Sequence, residues 1–427
     1  MQRKRKRGDS ALLLYITPLI IKILSYYVFI YPIAMSIIWI IGGLYFWMNY
    51  ELKNRNELDL LKVYPDITIL VPCHNEAETI ALTCKTLSCL DYTNYHVIFI
   101  DDASEDNTAE IIRKFIAKNP FFHLISLKKN QGKAGALNKA LGLINTPFVL
   151  VLDADTIISG HTLKWLVLPL IHHVNIGAVT ANPIPYNRAS FLGKFQTAEF
   201  MSIIGLIKRS QSIFGYLFTV SGCATLYNTD LLRKLGGFST GTATEDIDAT
   251  WQIQRAGYRI LFQAQAIALI QVPNKLREYW KQRKRWATGG WHFLRTHKDI
   301  FFYWHLRHLW LLYLDFVFAY TWAFCLVITL IICLFSNFFV SVNLILLLHC
   351  TIVSFICLVQ MAIAIEINTF YDKEIKRCFF WVPWYPIFFF LIGAILVVWT
   401  APKSLFGSLE NSGKWKSPKR VYEDIPK

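Results

Sequence analysis

The sequence predicts an α/β domain with a mainly parallel sheet, set between groups of α-helical membrane spans. Three observations carry this reading. The 427-residue chain is 54% hydrophobic and 15% aromatic, too apolar for an ordinary soluble protein. Its apolar residues pile up before about residue 50 and after about residue 309, with a block of mixed composition between. Inside that block, short apolar runs alternate with helical stretches, the pattern of βαβ units.

The N-terminus opens with a basic head, Arg3 to Arg7, followed by an apolar run from Ala11 to about Tyr27. This is the pattern of a secretory leader, but no small-x-small cleavage site follows, and a second run, Val28 to Met48, comes at once. Residues 1–50 therefore read as an uncleaved transmembrane hairpin turning near Tyr26 to Tyr31, with Lys22 snorkelling to the headgroups. From Tyr64 the period changes. Asp66 to Pro72, Val97 to Ile100, Leu124 to Leu127 and Phe148 to Leu152 read as strands. Glu78 to Leu90, Thr108 to Lys118 and Ala134 to Leu143 read as the helices between them. The α/β domain occupies residues 64–276.

Residues 277–305 alternate basic and aromatic side chains without a full span, as in Lys281-Gln-Arg-Lys-Arg-Trp286, and read as an interfacial amphipathic helix. Trp280 and Trp291 suit membrane-interface anchors. Over 309–401 come three apolar runs, about Leu309 to Phe335, Phe339 to Ile365 and Phe379 to Ala401, each long enough to cross a bilayer. Pro383 and Pro386 give the third run reason to kink or re-enter. Residues 402–427 form a basic tail. Asp315 and Glu366 are candidates for pore-facing positions.

The net charge of +15 suits anionic lipid and phosphorylated substrates as well as nucleic acid. Its basic clusters lie beside apolar spans, which favours the membrane surface and no nucleic-acid partner. The flanks Arg3 to Arg7, Lys53 to Arg55 and Lys281 to Arg285 place the central domain in the cytoplasm. Three full spans after that domain would leave the basic tail outside, so the third run or the rule must give way. The nine cysteines show no metal-ligand spacing and suit free thiols in a reducing compartment.

Ligands of parallel sheets bind beyond the carboxyl ends of the strands. Asp101-Asp102 follow the second strand, and Asp153-Ala154-Asp155 follow the fourth. Two carboxylates at that spacing suit a hard divalent cation that also grips a diphosphate. A solvated turn would show the same pattern. What singles it out is its company downstream, Thr244-Glu245-Asp246 and Gln282-x-x-Arg285-Trp286.

In that order the motifs resemble the processive glycosyltransferases of family 2, with their GT-A nucleotide-sugar-binding fold. Finer segments, among them Pro32 to Trp47, Asn130-Gln-Gly-Lys133, Ile203 to Gln211, Phe218 to Gly222 and Trp280 to Trp286, are similar to the bacterial poly-β-1,6-N-acetylglucosamine synthases of biofilm. The likeness runs from about residue 28 to the C-terminus. It departs at Ala181, where Gly is usual, at His74, where Phe or Tyr is commoner, and over Gly236 to Thr244.

The resemblance implies an inverting polymerase of the bacterial inner membrane, with a cytosolic catalytic domain, a UDP-N-acetylglucosamine donor and a growing polysaccharide acceptor. Asp246, with Glu245, would be the catalytic base; the same acids could instead cap the helix that follows. Asp155 would hold Mg²⁺ or Mn²⁺ on the leaving diphosphate. Arg285 would clamp the phosphates, Lys133 would add charge near the nucleotide or be a solvated loop lysine, and Asp153 would face the ribose or lie behind the groups that touch the substrate. Asp102 would lie under the nucleotide, with Asn75 and Glu76 lining that pocket or serving as turn and cap. Trp286 would stack on the acceptor or anchor at the membrane interface, Gly222 would admit close approach to the acceptor or form an ordinary turn, and Gln282 completes the motif. Membrane lipid and a small membrane accessory protein are the implied partners. Three alternatives stay open: another family 2 polymer synthase making chitin, hyaluronan or a glucan, a non-processive transferase to a lipid carrier, and, from another class, a transporter or nucleic-acid-binding membrane protein.

Overall fold

A computed structural model describes residues 2–53, 58, 61–335 and 341–407, with side chains over 22–53, 58, 61–332 and 351–407. The basic tail from residue 408, Arg55, and the side chains of Arg3 to Arg7 lie outside the described residues. The chain opens with one helix, α1 (Gln2–Phe46). Then β1 (Ile67–Cys73), α2 (Ile80–Leu87), β2 (Tyr95–Asp101), α3 (Thr108–Ile116), β3 (Phe122–Ser126), α4 (Gly132–Leu141) and β4 (Phe148–Leu152) alternate as the sequence predicts. β1 is buried along its whole length, as a central parallel strand must be. β1 and β2 end level, Cys73 beside Asp101.

After β4 the pattern changes. β5 (Ile157–Ile158), α5 (Thr162–His172), β6 (Ile176–Pro185), α6 (Phe191–Phe200), α7 (Ile207–Ser212), β7 (Ala224–Asn228), α8 (Thr229–Lys234), α9 (Glu245–Arg255) and β8 (Arg259–Ile270) follow. The sheet order is β3-β2-β1-β4-β7-β6-β8-β5. β7 enters antiparallel to both β4 and β6, so the expected parallel sheet is parallel in its first half and mixed in its second. That reversal sets the loop before β7 against the turn after β4.

α10 (Leu276–Thr296), α11 (Trp310–Phe335), α12 (Ser341–Thr369) and α13 (Ile392–Phe406) complete the chain. A 3-10 segment (Lys373–Trp384) lies between α12 and α13. Four of the described helices are long and apolar enough to cross a membrane: Lys22–Glu51, Trp304–Ile332, Thr351–Thr369 and Pro386–Phe406. α6, α7, α10 and the 3-10 segment form a collar joining the sheet to these helices, through a core that includes Ile184, Phe195, Met201, Tyr279, Met361 and Tyr385.

Several expectations are corrected. The hairpin over residues 1–50 is a single helix, because Tyr26 to Tyr31 offers no Gly, Asn or Asp to turn on. In apolar surroundings an unbroken helix is what satisfies the backbone, and Pro32 is carried inside it. The third C-terminal run divides: residues 379–384 belong to the 3-10 segment, and Pro386 opens a π-helical turn (Pro386–Leu391) leading into α13. This stretch runs beside α10, which donates from Tyr279 Oη to Phe388 O (3.3 Å) in the turn, and from Trp291 Nε1 to Val397 O (3.0 Å) and Arg295 Nη1 to Ser404 O (2.6 Å) in α13. Trp291 is thus buried against α13 and Tyr320 rather than anchored at an interface. Asp315 accepts from the Tyr31 hydroxyl (3.0 Å) and ties α11 to α1. Glu366 is exposed beside Lys376.

Candidate active site

The turn after β4 carries Asp153, Ala154 and Asp155. Asp153 N donates to Cys223 O (3.0 Å), which binds this turn to the loop ahead of β7. Thr83 of α2 donates to Ala154 O (2.7 Å) and holds the turn from the other side. Asp155 is 8% exposed.

Lys133 ties the site together. It sits in the first turn of α4, and its ammonium reaches Asp153 Oδ1 (2.6 Å), Glu245 Oε1 (3.3 Å) and Gly222 O (3.0 Å). Burial works against its charge, but Asp153 and Glu245 outweigh burial and hold the ammonium well above its ordinary range. The loop that presents Lys133 is fixed by Asp102. This carboxylate is 0% exposed and accepts from Gln131 N (2.7 Å) and Gly132 N (2.8 Å). Gly132 has φ +76°, which glycine adopts freely. Asp102, expected to lie under the nucleotide, accepts from this loop's backbone with both oxygens.

Glu245 and Asp246 open α9. Side-chain bonds stitch that helix to the loop before β7: Gln254 Nε2 to Leu217 O (3.0 Å), Trp251 Nε1 to Phe218 O (2.9 Å), and Val220 N to Thr250 Oγ1 (3.0 Å). They bring Asp246 onto Gly222 so closely that a Cβ there would stand 2.9 Å from Asp246 Oδ2. Gly222 therefore makes room for the acid itself. Burial and then the Glu245 charge push the Asp246 carboxyl up, against the pull of Lys133 and Arg285. Burial opposes charge on Glu245 too, but there Lys133 and Arg285 win and hold the carboxyl down. Two adjacent acids are thus driven apart, one firmly ionised and one made more basic. The capping alternative holds in part, since Asp246 Oδ1 accepts from Ile247 N (3.0 Å).

α10 closes the cleft. Arg285 is exposed at its mouth and donates to Ala243 O (3.4 Å). Gln282 Oε1 is buried with no partner among the described residues. Trp286 is half-buried near Phe200, with ring centres 6.3 Å apart. Asn75 and Glu76 lie at the end of β1 and chiefly hold loops. Asn75 (φ +57°) accepts from Glu105 N (2.8 Å), and Glu76 accepts from Thr79 Oγ1 (3.2 Å).

Sequence reasoning missed three features. Gly289 and Gly290 let α10 press against Thr244 on one side and Tyr320 on the other; the Gly-Gly pair inside a helix was the signal. His74 bridges the rim, with Nδ1 2.9 Å from Asp102 O and Nε2 3.2 Å from Asn130 Nδ2. Lys208 of α7 is buried and donates to Ser221 Oγ (2.6 Å), next to Gly222.

No group of three or more His, Cys, Asp or Glu side chains able to hold a metal occurs among the described residues. The donor chemistry nevertheless suits a hard cation: one or two carboxylates, completed by substrate phosphate oxygens, is how Mg²⁺ is commonly held. Asp153 Oδ1 is taken by Lys133, and Asp155 stands two residues on in the same turn.

Residues 68–236 match the family model for glycosyl transferase family 2. A poly-β-1,6-N-acetyl-D-glucosamine synthase of Staphylococcus epidermidis is 34% identical over 413 residues, spanning 91% of this chain and 97% of that protein. One from Staphylococcus aureus (strain COL) is 34% identical over 402 residues, with the same coverage. The chain belongs to glycosyl transferase family 2. A mannosyltransferase of Pyrobaculum calidifontis, solved with GDP-Man and Mn²⁺, shares the fold of this family 2 transferase at 19% identity and a TM-score of 0.59, over 88% of this chain and 99% of the other. The family 2 transferase is thus a membrane glycosyltransferase built on a GT-A-like mixed sheet.

Proposed function

We propose that the protein is an inverting, processive transferase that polymerises N-acetylglucosamine from UDP-N-acetylglucosamine into a β-1,6-linked exopolysaccharide for biofilm, exported as it grows. The observation that carries this is Asp246 packed on Gly222, beside a Lys133 that bridges Asp153 and Glu245. Full-length likeness to synthases named for that polymer supports the choice of sugar and linkage.

Asp246 takes the proton from the acceptor hydroxyl, and its raised pKa makes it a better base than an ordinary aspartate. The oxygen attacks the anomeric carbon as the bond to the diphosphate breaks, so an α-linked donor gives a β-linked product and UDP leaves. Arg285 and Lys133 meet the charge that builds on the leaving group. A Mg²⁺ or Mn²⁺ held by Asp155 supplies Lewis-acid neutralisation of the diphosphate when bound. Asp102 keeps the Lys133 loop in place, and Trp286 offers the acceptor sugar a flat apolar face. We assign residues 64–276 to transfer and the apolar helices to anchorage and export, with the catalytic domain in the cytosol of the bacterial inner membrane. Lipid and a small membrane accessory protein complete the proposed assembly.

The test supplies membranes holding the full chain with labelled UDP-N-acetylglucosamine, UDP-glucose or UDP-glucuronate separately, then analyses product mass and linkage. Long β-1,6-linked chains from UDP-N-acetylglucosamine alone are expected. Incorporation only from UDP-glucose would overturn the sugar, and a single sugar on a lipid would overturn polymerisation.

A further inference from the structure

We infer that Arg283, held by Glu199, is a positioning residue for Trp286 and sets how tightly the terminal sugar of the acceptor chain is gripped; this rests on the acceptor reading of Trp286 above. α10 divides its basic residues. Lys281, Lys284 and Arg285 are exposed, whereas Arg283 turns inward and is buried. Positions three and four apart share a helix face, so Arg283 lies between Tyr279 and Trp286. Its Cζ is 4.1 Å from the indole centre and 4.8 Å from the Tyr279 ring, close enough for cation–π contact with both.

α6 holds this arrangement from the other side. Arg283 Nη2 donates to Glu199 Oε2 (2.6 Å), and Glu199 is fully buried. The next residue, Phe200, is the one that braces the Trp286 ring. Glu199 Oε1 and Arg283 Nε have no partner among the described residues, so the pair is incompletely satisfied as a structural bridge. Apolar residues of the same size commonly replace such pairs without loss of stability. A buried pair stacked on the ring proposed to hold sugar therefore points to a role in that ring's placement. The guanidinium covers one face of the indole and fixes its plane. A sugar arriving at a fixed ring does not have to order it first, which tightens binding. A lysine would supply the charge but not the flat stack.

The experiment uses the full-length protein in membranes, UDP-N-acetylglucosamine as donor and a β-1,6-linked N-acetylglucosamine pentamer as acceptor. The double variant Glu199→Leu/Arg283→Met removes both charges and strands neither, so it is expected to fold. Its acceptor KM should rise about tenfold, the scale of one lost cation–π contact plus ring ordering. Its donor KM should stay within about twofold, and its chains should be shorter. Arg283→Lys should fall between parent and double variant. A double variant with the parental acceptor KM, or one whose donor and acceptor KM rise together, would overturn the inference. A parent that binds donor but leaves the pentamer unextended would overturn the acceptor reading itself.

Discussion

In the cleft, Asp153, Glu245 and Asp246 share Lys133, which touches three partners at once, and Arg285 and Lys208 lie near enough to Asp246 to act on its charge. In the collar beneath it, three acids each have their own base: Glu51 with Arg209, Glu199 with Arg283, Asp372 with Arg188. Glu51 and Arg209 are fully buried and are joined by Tyr371 and Asn368, so four side chains lock the end of α1 to α7 and α12. Acids that share one cation in this way suit a site that receives a divalent cation and takes up a proton. These collar charges are balanced pair by pair. On the proposed function, charge in the cleft serves chemistry, whereas the collar pairs fix how the sheet is mounted on the apolar helices.

The largest expected effect tests the cleft. Asp246→Asn keeps an oxygen for Ile247 N but cannot take a proton. Polymer formation from labelled UDP-N-acetylglucosamine should fall about a thousandfold, with the melting temperature unchanged or raised, because a buried coupled charge has gone. A variant with more than a tenth of parental activity would return Asp246 to the role of a helix cap.

Asp155→Ala comes next. If Asp155 holds the cation, activity should fall about a hundredfold, and the Mn²⁺ or Mg²⁺ concentration giving half of the remaining rate should rise. An unchanged metal titration would remove Asp155 as a ligand.

Breaking the collar should do the reverse. Glu51→Gln leaves Arg209 buried without a counter-charge, which costs about 3–5 kcal/mol. The melting temperature and yield should drop while kcat of the surviving folded protein changes by less than about threefold. A collapse of kcat at unchanged stability would erase the contrast between the two regions.

How much of this was legible divides along the same line. The acids of the cleft follow strand ends or open a helix, and strand positions are set locally by apolar runs, so Asp153, Asp155 and the parallel half of the sheet can be read from the sequence. The mixed half was not read, although β8 alternates buried and half-buried residues throughout, a period-2 signal that Gln263 and Gln265 mark in the sequence. β6 hid better, because it is buried on both faces and carries Pro183 and Pro185. The ion pairs of the collar could not be read, although its helix α10 was. Glu51 and Arg209 stand 158 residues apart, and nothing local says that they meet. Gly222 was singled out, yet the group it makes room for was visible only in three dimensions.

The smallest effect lies where the two regions touch. Lys208 belongs to the collar helix α7, donates to Ser221, and is close enough to Asp246 to feel its charge. Burial lowers its pKa to about 8, against the smaller upward pull of Cys223 and Asp246. Below pH 8 the ammonium is protonated both folded and unfolded, and folding must bury that charge. Between about 8 and the ordinary value of 10.5, the unfolded chain keeps a proton that the folded chain releases, so stability from this group grows with pH. Lys208→Met should therefore melt above the parent at pH 7, by an amount on the order of 1 kcal/mol once the orphaned Ser221 hydroxyl is counted, and the gap should close as pH rises from 8 to 10. The same change takes a cation from beside Asp246, so the acid limb of the pH–rate profile should move up by a few tenths of a unit, on the order expected for one partly screened charge. Melting curves and initial rates from pH 6 to 10 measure both. A variant that is more stable yet needs a higher pH to work would place Lys208 with the cleft; a stability gain with no shift in the acid limb would place it with the collar.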